Sequence, residues 1–214
     1  MRPRFNLLGV LYLLLLCLTA TANASTRSDT RQILVYGDSL SAGFGIAIKD
    51  SWPALLADRL QNLPAKKQPI RVINASISGE TTAGGRSRFE AAQRQFSPQW
   101  VILALGANDG LRGLPVTAMR DNLLFMIRAA KKRGARVLLV GMRLPPNYGE
   151  AYTRNFENTF HELAQKEKVA LLPFLLEPVA TDRNNFLSDG LHPTAAAQPI
   201  LLDHVWSKLK PLLD

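Results

Sequence analysis

Four short segments carry the residue types that acyl transfer uses. Gly37-Asp38-Ser39-Leu40-Ser41 follows the apolar run Ile33 to Tyr36, and Ala75-Ser76-Ile77-Ser78-Gly79-Glu80-Thr81 follows a second apolar run. Gly106-Ala107-Asn108-Asp109-Gly110 follows a third, and Ser188-Asp189-Gly190-Leu191-His192-Pro193 lies farther along the chain. A serine becomes a nucleophile when a base lies within hydrogen-bond reach and a carboxylate orients that base. Of the three histidines, His161 and His204 fall in amphipathic helical patterns, which suits a surface or core-edge role. His192 instead falls in a loop at a predicted helix start, three residues after Asp189. At that spacing Asp189 can accept from Nδ1 of His192, leaving Nε2 to take the proton of Ser39.

Acyl transfer also needs donors aimed at the oxyanion that develops in the transition state. The Ser39 backbone N–H is one candidate. Gly79 is a second, because a residue without Cβ lets its N–H come close to a substrate. The side-chain amide of Asn108 is a third. Each residue also has a plainer explanation. Ser39 can cap a following helix, Gly79 can serve a turn, and Asn108 can form a cap or an Asx turn. The Asp189–His192 pair can stitch a loop or bind a metal, although no second histidine cluster or cysteine accompanies it.

The elements that must position these residues alternate in type. Strands are predicted at Gln32–Tyr36, Arg71–Asn74, Trp100–Leu105, Arg136–Gly141 and Ala170–Leu172. Helices are predicted at about Ser51–Gln61, Thr82–Gln95, Val116–Arg133, Ala151–Lys168 and Thr194–Leu212. Met119, Leu123, Met126, Ile127 and Ala130 recur at three- and four-residue steps, which marks one helix face, and Gly134 follows as a C-terminal stop. The strands are nearly continuous apolar runs, as expected where both faces of a sheet are covered. Such alternation implies one α/β domain with a parallel sheet between helical layers. Ligands of such sheets bind beyond the carboxyl ends of the strands, where the polar segments fall.

The chain has 214 residues, 26 Lys and Arg against 17 Asp and Glu, and one cysteine. Arg2 and Arg4, the apolar run Leu7 to Leu18 and the ending Ala22-Asn23-Ala24 predict a secretory signal peptide, residues 1–24. The apolar run is shorter than the roughly 20 residues a membrane span needs, so the expected product is exported to the periplasm or secreted, without stable membrane insertion. A retained N-terminal anchor is the alternative. Residues 25–214 then form a single domain, with Cys17 lost along with the leader and neither disulfide nor thiolate chemistry left. The basic excess lacks interleaved aromatics, so nucleic acid is not an expected partner. The Gly37 to Gly43 spacing fits neither a phosphate loop nor a dinucleotide fingerprint.

Taken together, "GDSLS", "NASISGET", "GAND" and "DGLHP" resemble, in order and spacing, the four blocks of the SGNH or GDSL hydrolase superfamily. "WPALL", "NDGLRG", "RLPPNYG" and "LLPF" extend the resemblance to its periplasmic esterase branch. The loop Gly43–Lys49 and the segment Glu177–Asn185 look less similar. The resemblance implies a three-layer α/β/α, flavodoxin-like sandwich on a five-stranded parallel sheet. It implies Ser39 as nucleophile, His192 as base, Asp189 as its orienter, and Ser39, Gly79 and Asn108 as the oxyanion hole. Leu111 and Leu144 would line an acyl site, and neither metal nor cofactor is expected. The implied substrates are small-molecule carboxylic esters and thioesters with an acyl chain: aryl esters, acyl thioesters and lysophospholipids. A carbohydrate deacetylase and a non-catalytic binding module are the alternatives.

Overall fold

The computed structural model describes residues 31–62 and 69–214; the predicted signal peptide lies outside them. Five strands form one parallel sheet: β1 (Arg31–Gly37), β2 (Ile70–Asn74), β3 (Trp100–Ala104), β4 (Arg136–Val140) and β5 (Ala170–Leu172). Their order is β2-β1-β3-β4-β5. Among the described residues, seven α-helices accompany them: α1 (Ser39–Ala42), α2 (Trp52–Gln61), α3 (Thr82–Phe96), α4 (Ala107–Leu111), α5 (Val116–Lys132), α6 (Glu150–Glu167) and α7 (Gln198–Leu213).

The apolar runs follow from burial on both faces. In β1, Ile33 and Val35 join a core with Trp52 and Leu56 of α2 and Leu201, Val205 and Leu209 of α7. Leu34 and Tyr36 face a second core, with Phe89 of α3, Leu123 and Met126 of α5, and Phe156 and Phe160 of α6. Strand side chains alternate between faces, so an unbroken apolar sequence is what two covering layers require. β2, at the edge, is buried less completely than β1, β3 or β4.

The predicted elements are present, with ends displaced by a few residues. At the end of α5 the N–H of Gly134 donates to Lys131 O and that of Ala135 to Ala130 O, the paired bonds of a Schellman stop. The largest difference lies at the C-terminal end. The stretch predicted as one helix from Thr194 begins with a 3₁₀ turn, Ala195–Ala197, and α7 starts only at Gln198. His192 therefore sits in a loop ahead of the helical stretch, between Leu187, whose N–H donates to His192 O, and the isolated bridge Phe186–Pro193.

Successive strands are added on opposite sides of β1: β2 on one flank and β3 on the other. This reversal opens a crevice at the carboxyl ends of β1 and β3, where α/β sheets place their ligands.

Candidate active site

Ser39 lies two residues past the carboxyl end of β1, as the first residue of α1. The cap of that helix is Asp38, whose Oδ1 accepts from the Leu40 N–H at 3.1 Å. The capping reading of Ser39 thus passes to its neighbour, and the Ser39 hydroxyl is left to face the loop that carries His192. Asp38 is almost wholly buried, and that desolvation pushes its carboxyl up to about 7, opposed by the hydrogen bond from Leu40 and reinforced by the charge of Asp109.

His192 and Asp189 stand in the geometry their spacing suggests. Nδ1 of His192 lies 2.7 Å from Asp189 Oδ2 and its Nε2 lies 2.9 Å from Ser39 Oγ. Asp189 Oδ1 accepts from the backbone N–H groups of Leu191 at 2.8 Å and His192 at 3.0 Å. These backbone bonds, followed by the bond to the imidazole, hold the Asp189 carboxyl down at about 2. An ionised Asp189 fixes Nδ1 of His192 as the donor and leaves Nε2 facing the serine. The other histidines lie elsewhere: His161 is exposed on α6, and His204 of α7 lies with Nε2 3.0 Å from Phe174 O.

Gly79 lies in the segment after β2 and Asn108 in the short helix α4, and the two are tied together. Gly79 takes φ +78°, a conformation that side chains rarely adopt. Its carbonyl accepts from Arg112 Nη2 at 2.8 Å, while Asn108 Nδ2 donates to the next carbonyl, Glu80 O, at 3.1 Å. The amide nitrogen of Asn108 carries two hydrogens, so one remains after that bond. Deeper in, the Glu80 carboxylate pairs with Arg88 through both of its oxygens, and the Arg88 guanidinium lies 4.1 Å from the centre of the Tyr36 ring.

A cavity of about 650 Å³ opens over these loops. Ser39, Gly79, Asn108 and His192 are on its wall, together with Leu111 and Leu144, the two residues expected to meet an acyl chain. Met142, Phe174, Leu176 and Phe186 extend its apolar lining. Its volume and composition fit a small-molecule site with a few convergent polar groups.

Several contacts lay beyond the sequence patterns: the Asp38 cap, the Arg112 bond to Gly79, and the stacking of Phe44 on His192, whose ring centres are 4.4 Å apart. The available signal for the last was the triplet Gly43-Phe44-Gly45, an aromatic residue between two glycines just past the nucleophile loop.

Known proteins resemble this chain over nearly its whole length. Esterase TesA of Pseudomonas aeruginosa is 45% identical over 201 residues, 94% of this chain and 96% of that protein. Thioesterase 1/protease 1/lysophospholipase L1 of Escherichia coli K12 is 39% identical over 207 residues, 97% of this chain and 93% of that protein. Among solved structures, the psychrotrophic esterase EstA from a Pseudoalteromonas species, in a form inhibited by monoethylphosphonate, superimposes with a TM-score of 0.80 at 36% identity. That match covers 86% of this chain and 98% of the esterase. The model of the GDSL-like Lipase/Acylhydrolase family matches residues 35–199, a span that runs from the strand before Ser39 to the helix after His192, and the chain belongs to that family.

Proposed function

We propose that this chain, an ester-bond hydrolase by its family, is a serine esterase whose nucleophile is Ser39, whose base is His192 and whose orienting carboxylate is Asp189. The observation that carries the assignment is the continuous line of contacts from Asp189 Oδ2 to His192 Nδ1, at 2.7 Å, and from His192 Nε2 to Ser39 Oγ, at 2.9 Å. In the cycle, Ser39 Oγ attacks the acyl carbonyl carbon while His192 Nε2 takes the serine proton. Asp189 stabilises the imidazolium. The oxyanion accepts from the Ser39 N–H, the Gly79 N–H and the remaining amide hydrogen of Asn108. As the first N–H of a helix, that of Ser39 has no acceptor within the helix. Collapse expels the leaving group: an alkoxide takes the proton from His192, and where a thiolate departs His192 gives that proton to solvent, so Nε2 is free again. Water, deprotonated by the same nitrogen, then releases the acid and restores Ser39.

The apolar cavity supports substrates with an acyl chain: aryl esters, acyl thioesters and lysophospholipids. Residues 25–214 act as the catalytic domain, and residues 1–24 direct the chain to the periplasm and are removed. N-terminal sequencing of protein from the periplasmic fraction tests the latter; a chain still beginning at Met1 would overturn it.

Hydrolysis of p-nitrophenyl butyrate by wild type and Ser39→Ala tests the nucleophile, with folding checked by circular dichroism. The folded variant is expected to lose activity by about a million-fold, the scale on which triad serines act. Full activity in it would remove Ser39 from the mechanism. An acetylated sugar assayed beside the ester series separates this reading from a carbohydrate deacetylase.

A further inference from the structure

Two hydrogen bonds hold His192 along one axis of its ring, at Nδ1 and at Nε2. Neither resists tilting of the ring about the line that joins them. Rotation about that line sets which groups meet the face of the imidazole when it becomes charged. The Asp189 side chain is 37% exposed, so solvent also reaches this pair from outside. A contact on the face of the imidazole restrains that rotation.

Phe44 supplies that contact. Its ring centre is 4.4 Å from that of His192, with the planes inclined by 37°. Gly43 and Gly45, on either side, take φ of +76° and +75°, and the chain curls back toward the His192 loop. A Cβ on Gly45 would lie 2.5 Å from Leu187 Cδ1, so the two loops already meet there. Leu187 in turn donates its N–H to His192 O at 2.8 Å. Phe44 is itself 49% exposed, far more than a residue retained for core packing.

We propose that Phe44 is a positioning residue for His192, setting the tilt of the imidazole and stabilising its cationic form with the aromatic face. The proposal rests on the Ser39–His192 mechanism above. Positive charge appears on the imidazole in the transition states of both acylation and deacylation. An aromatic face beside a cation favours it electrostatically, so the contact is stronger in those transition states than in the resting enzyme. Binding energy of that kind appears in kcat rather than in KM.

The test is steady-state kinetics on p-nitrophenyl butyrate with Phe44→Ala, Phe44→Leu, Phe44→Tyr and Phe44→Trp. Phe44→Leu keeps an apolar side chain of similar size and serves if the alanine variant fails to fold. Phe44→Ala and Phe44→Leu are expected to lower kcat about five- to thirtyfold with KM within about twofold, while Phe44→Tyr and Phe44→Trp stay within about threefold of wild type. The Nδ1–H proton resonance of His192 should broaden through faster solvent exchange in the first two variants and stay sharp in the other two. Wild-type kcat in Phe44→Leu, or a loss confined to KM, overturns the proposal. Ser39→Ala in the same assay separates the two levels of the argument. An inactive serine variant beside a fully active Phe44→Leu overturns the Phe44 role alone, whereas an active serine variant overturns the mechanism on which it rests.

Discussion

Asp109 is buried behind the site and accepts two hydrogen bonds from Thr82, one from its backbone N–H at 2.8 Å and one from its hydroxyl at 2.5 Å. Asn122 of α5 donates to the same hydroxyl oxygen at 3.1 Å. One carboxylate thus joins α4, which holds Asn108, to the start of α3, just past Gly79. The Gly79 N–H and the Asn108 amide, the two proposed oxyanion donors, are spaced by this buried link as well as by their own backbones.

Replacing Asp109 by alanine leaves the Thr82 N–H without its acceptor inside the protein. The expected loss of stability is about 2–4 kcal/mol, since an unpaired buried polar group costs roughly 1–3 kcal/mol and the acceptor is charged. Urea denaturation measures it as a lower midpoint at unchanged slope. kcat should fall further than in Thr82→Val, which keeps the backbone bond.

Asp189→Asn removes the charge that fixes the imidazole tautomer. kcat is expected to drop about 10³- to 10⁴-fold with KM little altered, the scale of the same change in a protease triad. The folded carboxyl sits near 2, below its ordinary range. Its contribution to stability is therefore complete above the unfolded value near 4 and disappears as pH falls from about 4 toward 2. Acid denaturation of Asp189→Asn should start from lower stability at neutral pH and converge on wild type below about pH 2.

Asp38 has the opposite sign. Burial raises its carboxyl to about 7, so the folded state holds a proton that the unfolded chain releases near 4. Between those values wild-type stability declines as pH rises, by at most about 1.4 kcal/mol per pH unit from this group. Asp38→Asn retains an oxygen that can cap Leu40 and carries no charge. Its melting temperature relative to wild type should therefore be more favourable at pH 8 than at pH 4. A difference independent of pH would show that Asp38 does not titrate in this range.

Gly110 packs where a Cβ would come within 2.6 Å of Leu144 Cδ2 and 2.7 Å of Phe156 Cε2. Gly110→Ala must displace Leu144 on the cavity wall, and overpacking of this kind costs about 1–3 kcal/mol. Leu111→Ala and Leu144→Ala remove apolar wall without touching the serine. For both, kcat/KM on a twelve-carbon p-nitrophenyl ester is expected to fall about tenfold, while the acetate stays within about twofold, given roughly 0.8 kcal/mol per buried methylene. Equal losses on both esters would place these leucines outside the acyl site.

The alternation of strands and helices was legible because it rests on local physics. Continuous apolar runs such as Trp100–Ala104 bury two faces, and the three- and four-residue steps of Met119 to Ala130 mark one helix face. The candidate residues were legible because their chemical types are rare in plain turns and recur at strand ends. The Asp189–His192 contact was within reach as well, since both residues lie in one loop. What failed locally was the start of α7, where Pro193 and the 3₁₀ turn at Ala195 delay a helix that the apolar pattern alone would begin sooner.

By itself, then, the sequence determined the α/β class, the polar segments at the strand ends and the residues, Ser39, His192 and Asp189, that we propose as nucleophile, base and orienting acid. Only the tertiary structure decided that β3 lies beside β1, that His192 comes within 2.9 Å of a serine 153 residues away, and that Phe44 covers its ring. The physical reason is one of range. Propensity and periodicity act over a few residues, whereas strand order and contacts between loops are set by how two hydrophobic cores pack across a shared sheet.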